Sequence, residues 1–145
     1  QDSKTSGEQA KCLTLLESAK RIFCDRLDDA IRSASMFDET EYKAFCQGSI
    51  SFGNKEEAQK KKEIYNGIVS TVDKVVHDNE RLILRLDSLA YALNQRSAQN
   101  PWDTEVVLAM SKLDAVINKT TQDIEQDEVI SREAMKRYNN LKGEI

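Results

Sequence analysis

The chain has 145 residues, of which 39% are hydrophobic and 32% charged, and its formal net charge is −4. That apolar fraction excludes a disordered chain, and the mixed charges make no field that would hold nucleic acid. The sequence contains no recognisable signal peptide and no apolar run long enough to span a membrane. Five glycines and one proline leave few helix breakers, so the composition predicts an all-α protein.

The first predicted helix follows a polar segment, residues 1–6, which we expect to be frayed. Ser6 and Gln9 have the spacing of a capping box, so Ser6 is predicted to cap this helix. Apolar residues then recur every three or four positions, and the helix is expected to end near Met36. The stripe predicts one buried face, made of Cys12, Leu16, Ala19, Phe23, Leu27, Ala30 and Ala34.

A short second helix is predicted next. Asp38 and Glu41 form another capping box that opens it. The following segment, residues 48–53, begins and ends with glycine and is predicted to be a loop. The short helix therefore lies between two breaks and contains Tyr42, Phe45 and Cys46.

The third helix is predicted over residues 55–98, with Asn54 and Glu57 as its capping box. Its apolar residues repeat every seven positions in three parallel columns, which is typical of a core-facing helix in a bundle. The columns are Tyr65, Val72, Asn79, Leu86 and Leu93, then Ile68, Val75, Leu82 and Leu89, then Val69, Val76, Ile83 and Ala90.

One polar residue interrupts this stripe. A buried amide is costly unless it is hydrogen-bonded, and it can fix the register of neighbouring helices. We expect Asn79 to lie beside Thr120 of the last helix and to form one polar layer with it.

The last helix is predicted over residues 101–141, with Asn100 as its cap and Pro101 at its first position. The connection before it is too short for anything but antiparallel neighbours, and Trp102 is expected to cover that end of the hairpin. The sequence thus predicts a single domain, residues 1–145. It would be an elongated antiparallel bundle of three main helices and one short helix.

The residue types needed for catalysis or metal binding are scarce. The only histidine, His77, projects away from the predicted stripe, and a di-iron carboxylate bundle needs two. No Cys-x-x-Cys pair is present, so a zinc or redox motif is excluded. We therefore predict a non-enzymatic protein without cofactor or metal.

The three cysteines bear on the compartment. Cys24 and Cys46 come close if the short helix folds back on the first, and we expect a bridge between them if the protein is secreted. Cys12 lies on the stripe and should be a buried free thiol. The start at Gln1 suggests a processed product or an excised fragment, so these features favour an extracytoplasmic setting. Asn118 begins a glycosylation sequon, which is relevant only if the protein is secreted by a eukaryote.

The expected function follows from helix lengths. If the first helix pairs Cys12 with Asn79, it reaches no further along the third helix than about Arg85. The apolar hairpin end would then be uncovered, and monomers rarely expose such a patch. We predict an interaction or scaffold module whose seam binds a protein partner or a second copy. The partner-binding residues are Leu86, Leu89, Leu93, Val106, Val107 and Met110.

Two alternatives remain open at this point. Ile50 and Phe52 of the 48–53 loop could swing over and cover the same end. The protein could also be an extracytoplasmic ligand-binding or sensor bundle, which a polar pocket lined by Asn79 and Thr120 would favour.

Overall fold

The structure, a computed structural model, describes residues 2–48 and 55–143. Over these residues the chain forms four helices and no strands: α1 Asp2–Ser35, α2 Glu39–Cys46, α3 Lys55–Gln95 and α4 Thr104–Gly143. Because α1 packs against α3 and α3 against α4, the predicted all-α helical bundle is confirmed. The loop residues after Gly48 and the predicted cap Asn54 lie outside the described residues, as does the alternative that Ile50 and Phe52 cover the seam.

The first helix starts earlier than predicted. Residues 2–6 belong to α1, so Ser6 does not cap it and this part of the prediction is wrong. Adding a turn to an existing helix costs far less free energy than nucleating a new helix. The polar residues 2–6 can therefore extend α1 from the following turns, which are held by packing. At the other end, Met36 N–H donates to Ser33 O at 3.2 Å, and the predicted end near Met36 is confirmed.

The short helix α2 has the predicted cap. Asp38 Oδ1 accepts a hydrogen bond from Glu41 N–H at 2.9 Å, which satisfies one of the free amides of the first turn. After α2 the chain turns through Gly48, whose φ of +71° is in the left-handed region. Glycine adopts that conformation without steric cost, so it suits the end of this helix.

The last helix begins later than predicted. Asp103 is its cap, because Asp103 Oδ1 accepts from Val106 N–H at 2.9 Å. Pro101 and Trp102 therefore lie in the connection between α3 and α4, residues 96–103, and not in the helix. Asn100 and Asp103 are both favourable N-cap residues. Asp103 is the cap because its side chain accepts a hydrogen bond from the third amide of the helix.

The chain divides into two compact units. Unit 1 contains Gln1–Ile22 and Leu82–Ile145, and unit 2 contains Phe23–Arg81. The core of unit 1 is formed mainly by Cys12, Leu15, Ala19, Ile22, Leu82, Leu89, Val106, Met110, Leu113 and Ile117. The core of unit 2 contains Tyr65, Ile68 and Val75, together with the polar residues Arg26 and Asn79. The prediction of a single domain stays a prediction.

The buried face of α1 differs from the predicted stripe. Cys12 and Ala19 are buried as expected, but Leu15 is buried in place of Leu16, which is exposed. Leu27, another predicted stripe residue, is also exposed. Two adjacent leucines satisfy helical spacing equally well, so only the neighbouring helix decides which one faces inward.

The register of α1 on α3 also differs. The predicted pairing of Cys12 with Asn79 would place Arg26 beside Tyr65, whereas Arg26 Nη2 lies 2.6 Å from Asp78 Oδ2. Asp78 is about thirteen residues further along α3, or roughly 20 Å at the helical rise. The N-terminal end of α1 therefore reaches the connection, where Lys4 lines the same cavity as Asn100.

Candidate functional site

The predicted seam is only partly on the surface. Leu89, Val106 and Met110 are buried in the core of unit 1, so the expectation that they are uncovered is wrong. The cause is the register, because the N-terminal part of α1 belongs to the same unit and reaches the hairpin end. Leu86 and Leu93 are half-buried, and Val107 is exposed. Partner binding through these residues stays a prediction.

A different apolar surface lies on the outward side of α3. Tyr91 is 67% exposed, Leu84 is 58% exposed, and Ile83 is also exposed. Residues three or four apart are neighbours on a helix, so these three side chains surround the exposed Asp87. We call Ile83, Leu84, Asp87 and Tyr91 the α3 patch. It combines three large apolar side chains with one carboxylate on about two helical turns.

A cavity of about 520 Å³ lies beside the connection in unit 1. We call it the connection cavity. It combines three residues from the first two turns of α1, four from the connection and one from α4. Its lining is Lys4, Thr5, Glu8, Gln99, Asn100, Pro101, Trp102 and Val107.

One lining residue carries an unsatisfied group. Glu8 Oε2 is buried and has no hydrogen-bond partner among the described residues. A buried carboxylate oxygen without a partner is costly. Because this oxygen is shielded from solvent, it does not face the open space of the cavity.

The connection is held in place by several interactions. Ser97 Oγ accepts from Gln99 N–H at 3.1 Å, and Asp103 caps α4. The Arg96 guanidinium lies 5.7 Å from the centre of the Trp102 ring, within the range of a cation–π contact. The sequence predicted that Trp102 would cover the hairpin end. The structure places it there, half-buried, as one wall of the connection cavity.

Unit 2 contains a buried ion pair that sequence reasoning missed. Arg26 and Asp78 lie 2.6 Å apart, and their side chains are only 6% and 13% exposed. Arg26 Nε has no partner among the described residues. The helical spacing of Arg26 from Ala19 and Ile22 was the available signal, since it continues their buried face.

Asn79 is buried, as its place in the stripe predicted, and so is Thr120. Asn79 Oδ1 has no hydrogen-bond partner among the described residues. The two residues belong to different units, and the proposed polar layer between them stays a prediction.

An aromatic cluster holds α2 against α3 in unit 2. The ring centres of Phe37, Tyr42 and Tyr65 lie between 5.2 and 5.6 Å apart, in tilted and edge-on arrangements. Such geometries are favourable for aromatic pairs. The Tyr65 hydroxyl donates to Glu41 Oε2 at 2.5 Å, and Lys61 Nζ lies 3.4 Å from the other oxygen of Glu41.

The hydrogen bond to Glu41, reinforced by desolvation and by the charges of Glu41 and Asp38, raises the pKa of Tyr65 to about 12. A phenol raised above its unfolded value stabilises the fold fully below about pH 10, and loses that contribution as pH passes the folded pKa. We expect absorbance titration at alkaline pH to show one phenol ionising near pH 12. Glu41→Gln should lower that pKa.

A matched control is available in Tyr91→Phe, which removes an exposed phenol and should leave the late ionisation in place. Tyr65→Phe should remove it. If the late ionisation persists in Tyr65→Phe, the hydrogen bond to Glu41 is not its cause.

The three cysteines are unbridged in the structure. Cys12 is a buried free thiol, as predicted, and desolvation raises its pKa although the charge of Arg96 opposes the shift. Cys24 and Cys46 are exposed, and the interaction with Cys46 raises the pKa of the Tyr42 hydroxyl. The Cys24–Cys46 bridge under oxidising conditions stays a prediction.

The remaining sequence candidates lie on the surface. His77 and Asn118 are exposed. Within residues 2–48 and 55–143, no three His, Cys, Asp or Glu side chains are placed to hold a metal ion. In the same part of the chain, every helix is too short or too polar to cross a membrane. No known family model, curated protein or solved structure matches this chain.

Proposed function

We propose that this protein is a non-enzymatic interaction module that binds a protein partner through the α3 patch. The observation that supports it most is the exposure of Tyr91 and Leu84 on a helix whose opposite face is buried. Aromatic residues are enriched in the energetically dominant positions of protein interfaces, and Tyr91 could supply such an anchor. The proposed binding surface therefore differs from the predicted one. It consists of exposed residues of α3, such as Leu84 and Tyr91, in place of the buried Leu89.

The patch favours a helical partner. An amphipathic helix presents apolar side chains every three or four residues, which matches the spacing from Leu84 to Tyr91. Asp87 lies between them, so a lysine or arginine beside the partner's apolar stripe would meet an opposite charge. A second copy of this chain could supply such a helix only if a basic residue faces Asp87.

The test begins by finding the partner. A photo-crosslinking amino acid at position 91 should capture it in cells, and the purified partner can then be titrated against variants. We expect Leu84→Glu and Tyr91→Glu each to weaken binding at least about tenfold, because a buried anchor contributes more than about 1.4 kcal/mol. Light scattering on the isolated chain would show whether the partner is a second copy.

The matched control is Leu108→Glu, which adds the same charge at a leucine of α4 that is 52% exposed. It should bind with unchanged affinity. A monomeric chain whose Leu84→Glu and Tyr91→Glu variants bind the crosslinked partner as tightly as the wild type would contradict the proposal.

A ligand-binding bundle is the second candidate function. It was expected to show a polar pocket at Asn79 and Thr120. The observation in its favour is instead the connection cavity, whose volume is typical of small-molecule sites.

A further inference from the structure

The part of unit 2 that spans residues 23–47 buries very little of its own surface. It contains the end of α1 and all of α2, and we call it the strap. Among these residues, all of which the structure describes, Arg26 is the only buried one. The preceding part of α1, by contrast, buries Cys12, Leu15, Ala19 and Ile22. Burial of apolar side chains therefore holds residues 12–22 more firmly than it holds the strap.

The apolar side chains of the strap lie largely in solvent. Leu27, Ile31 and Met36 are all exposed, and no residue of α2, Glu39–Cys46, is buried. Regions with few buried apolar contacts open at a lower free-energy cost than the core of the same protein. The packing of the strap is that of such a region.

The strap is attached to α3 by contacts that water can partly replace. Near its start, Arg26 forms the buried ion pair with Asp78. In α2, Tyr42 packs against the Tyr65 ring, and Glu41 accepts the hydrogen bond from the Tyr65 hydroxyl. A buried ion pair contributes little net stability, since opening returns both charges to water. The unpartnered Nε of Arg26 would also regain its hydration on opening.

Phe37 links the two helices of the strap. Its N–H donates to Ala34 O of α1 at 3.1 Å, and its ring packs against Tyr42 of α2 with the ring centres 5.2 Å apart. The Phe37 ring also packs against Tyr65 of α3. Because one side chain takes part in these contacts, loss of the α2 contact weakens the attachment of the end of α1 as well.

We propose that the strap opens from α3 as one unit while the core of unit 1 stays folded. The protein then has a closed state and an open state, and the open state makes Tyr65 and the Asp78 carboxylate of α3 accessible. No residue of the α3 patch belongs to the strap or to the contacts that hold it. The inference therefore does not depend on the proposed partner binding.

Native-state hydrogen exchange, measured by mass spectrometry, tests this proposal. In the wild type, residues 24–33 and 39–46 should exchange faster than residues 12–22. Strap opening leaves the unit 1 core folded, so a core variant should not change exchange through it. We expect Leu89→Ala to speed exchange in residues 12–22 at least about thirtyfold and to leave both strap segments at the wild-type rate. Ile117→Val, a milder core variant, should give the same pattern with a change of about two- to tenfold.

Variants of the strap contacts should speed exchange in the strap itself. Arg26→Met should do so at least about a hundredfold in both segments, because opening hydrates the Asp78 carboxylate that the variant leaves buried and unpaired. Tyr65→Phe removes a hydrogen bond to α2 alone. It should nevertheless speed exchange in residues 24–33 as much as in residues 39–46, by about two- to tenfold.

Two outcomes would overturn the proposal. One is that the two core variants speed exchange in the strap as much as in residues 12–22, which would mean that the strap opens only when the whole chain unfolds. The other is that Tyr65→Phe speeds exchange in residues 39–46 alone, which would mean that α2 opens separately from α1. Neither outcome bears on partner binding at the α3 patch, so failure of this proposal is separable from failure of the proposed function.

Discussion

Arg26→Met is expected to lower the free energy of unfolding by about 3–5 kcal/mol, because it leaves the Asp78 carboxylate buried without its partner. Both side chains are almost wholly shielded from solvent, so water cannot replace the lost contact. Urea denaturation, followed by circular dichroism, would measure the change. A loss below about 1 kcal/mol, the range of surface ion pairs, would contradict the buried pair.

The double variant Arg26→Met, Asp78→Leu separates the attraction between the two charges from the free-energy cost of burying them. It should recover most of the stability lost by the single variant, since apolar residues of similar size often replace a buried ion pair without loss. The matched control is the ion pair of Arg132 with Glu128 on α4, whose side chains are both largely exposed. Arg132→Met should change stability by less than about 1 kcal/mol.

The second large effect is expected at Leu89, which is 1% exposed in the core of unit 1. Leu89→Ala should cost about 2–5 kcal/mol, from lost burial and from the cavity that remains. Thermal or urea unfolding would measure this cost. The result matters for function, because a residue of the core affects stability whereas a residue of an uncovered seam affects binding.

Leu84→Ala is the control for this prediction, five residues away on the same helix and mostly exposed. It should change stability by no more than about 0.5 kcal/mol. If Leu89→Ala were as mild as Leu84→Ala and instead disrupted assembly, Leu89 would belong to an interface after all.

The predicted partner surface shows how an error in register becomes an error about function. The helices were identified from periodicity, and the apolar character of Leu89, Val106 and Met110 was evident. Whether they faced solvent depended on how far α1 extends along α3, which periodicity does not give. The sequence did not predict the connection cavity for two reasons. The predicted register ends α1 short of the connection, and residues 1–6 are predicted to be frayed.

The sequence identified only some of the residues that line the connection cavity. Trp102 stood out because it follows Pro101 at a helix boundary, and its place at the hairpin end was predicted. Glu8 gave no signal, since an isolated glutamate in a polar segment has no periodicity to interpret. Glu8 lines the connection cavity and also buries one carboxylate oxygen without a hydrogen-bond partner among the described residues, and both are properties of the packed structure.

The sequence by itself determined the presence and order of the helices, the cap at Asp38, and the buried column of α3 at Ile68, Val75, Leu82 and Leu89. These depend on spacings within one helix, because hydrogen bonds and neighbouring side chains there are three or four residues apart. Tertiary structure alone decided the register of α1, the burial of Arg26 against Asp78, and which apolar residues stay exposed. The physical reason is that a shift of about thirteen residues is close to two heptads, which leaves apolar faces opposite each other, so the repeat cannot choose between registers.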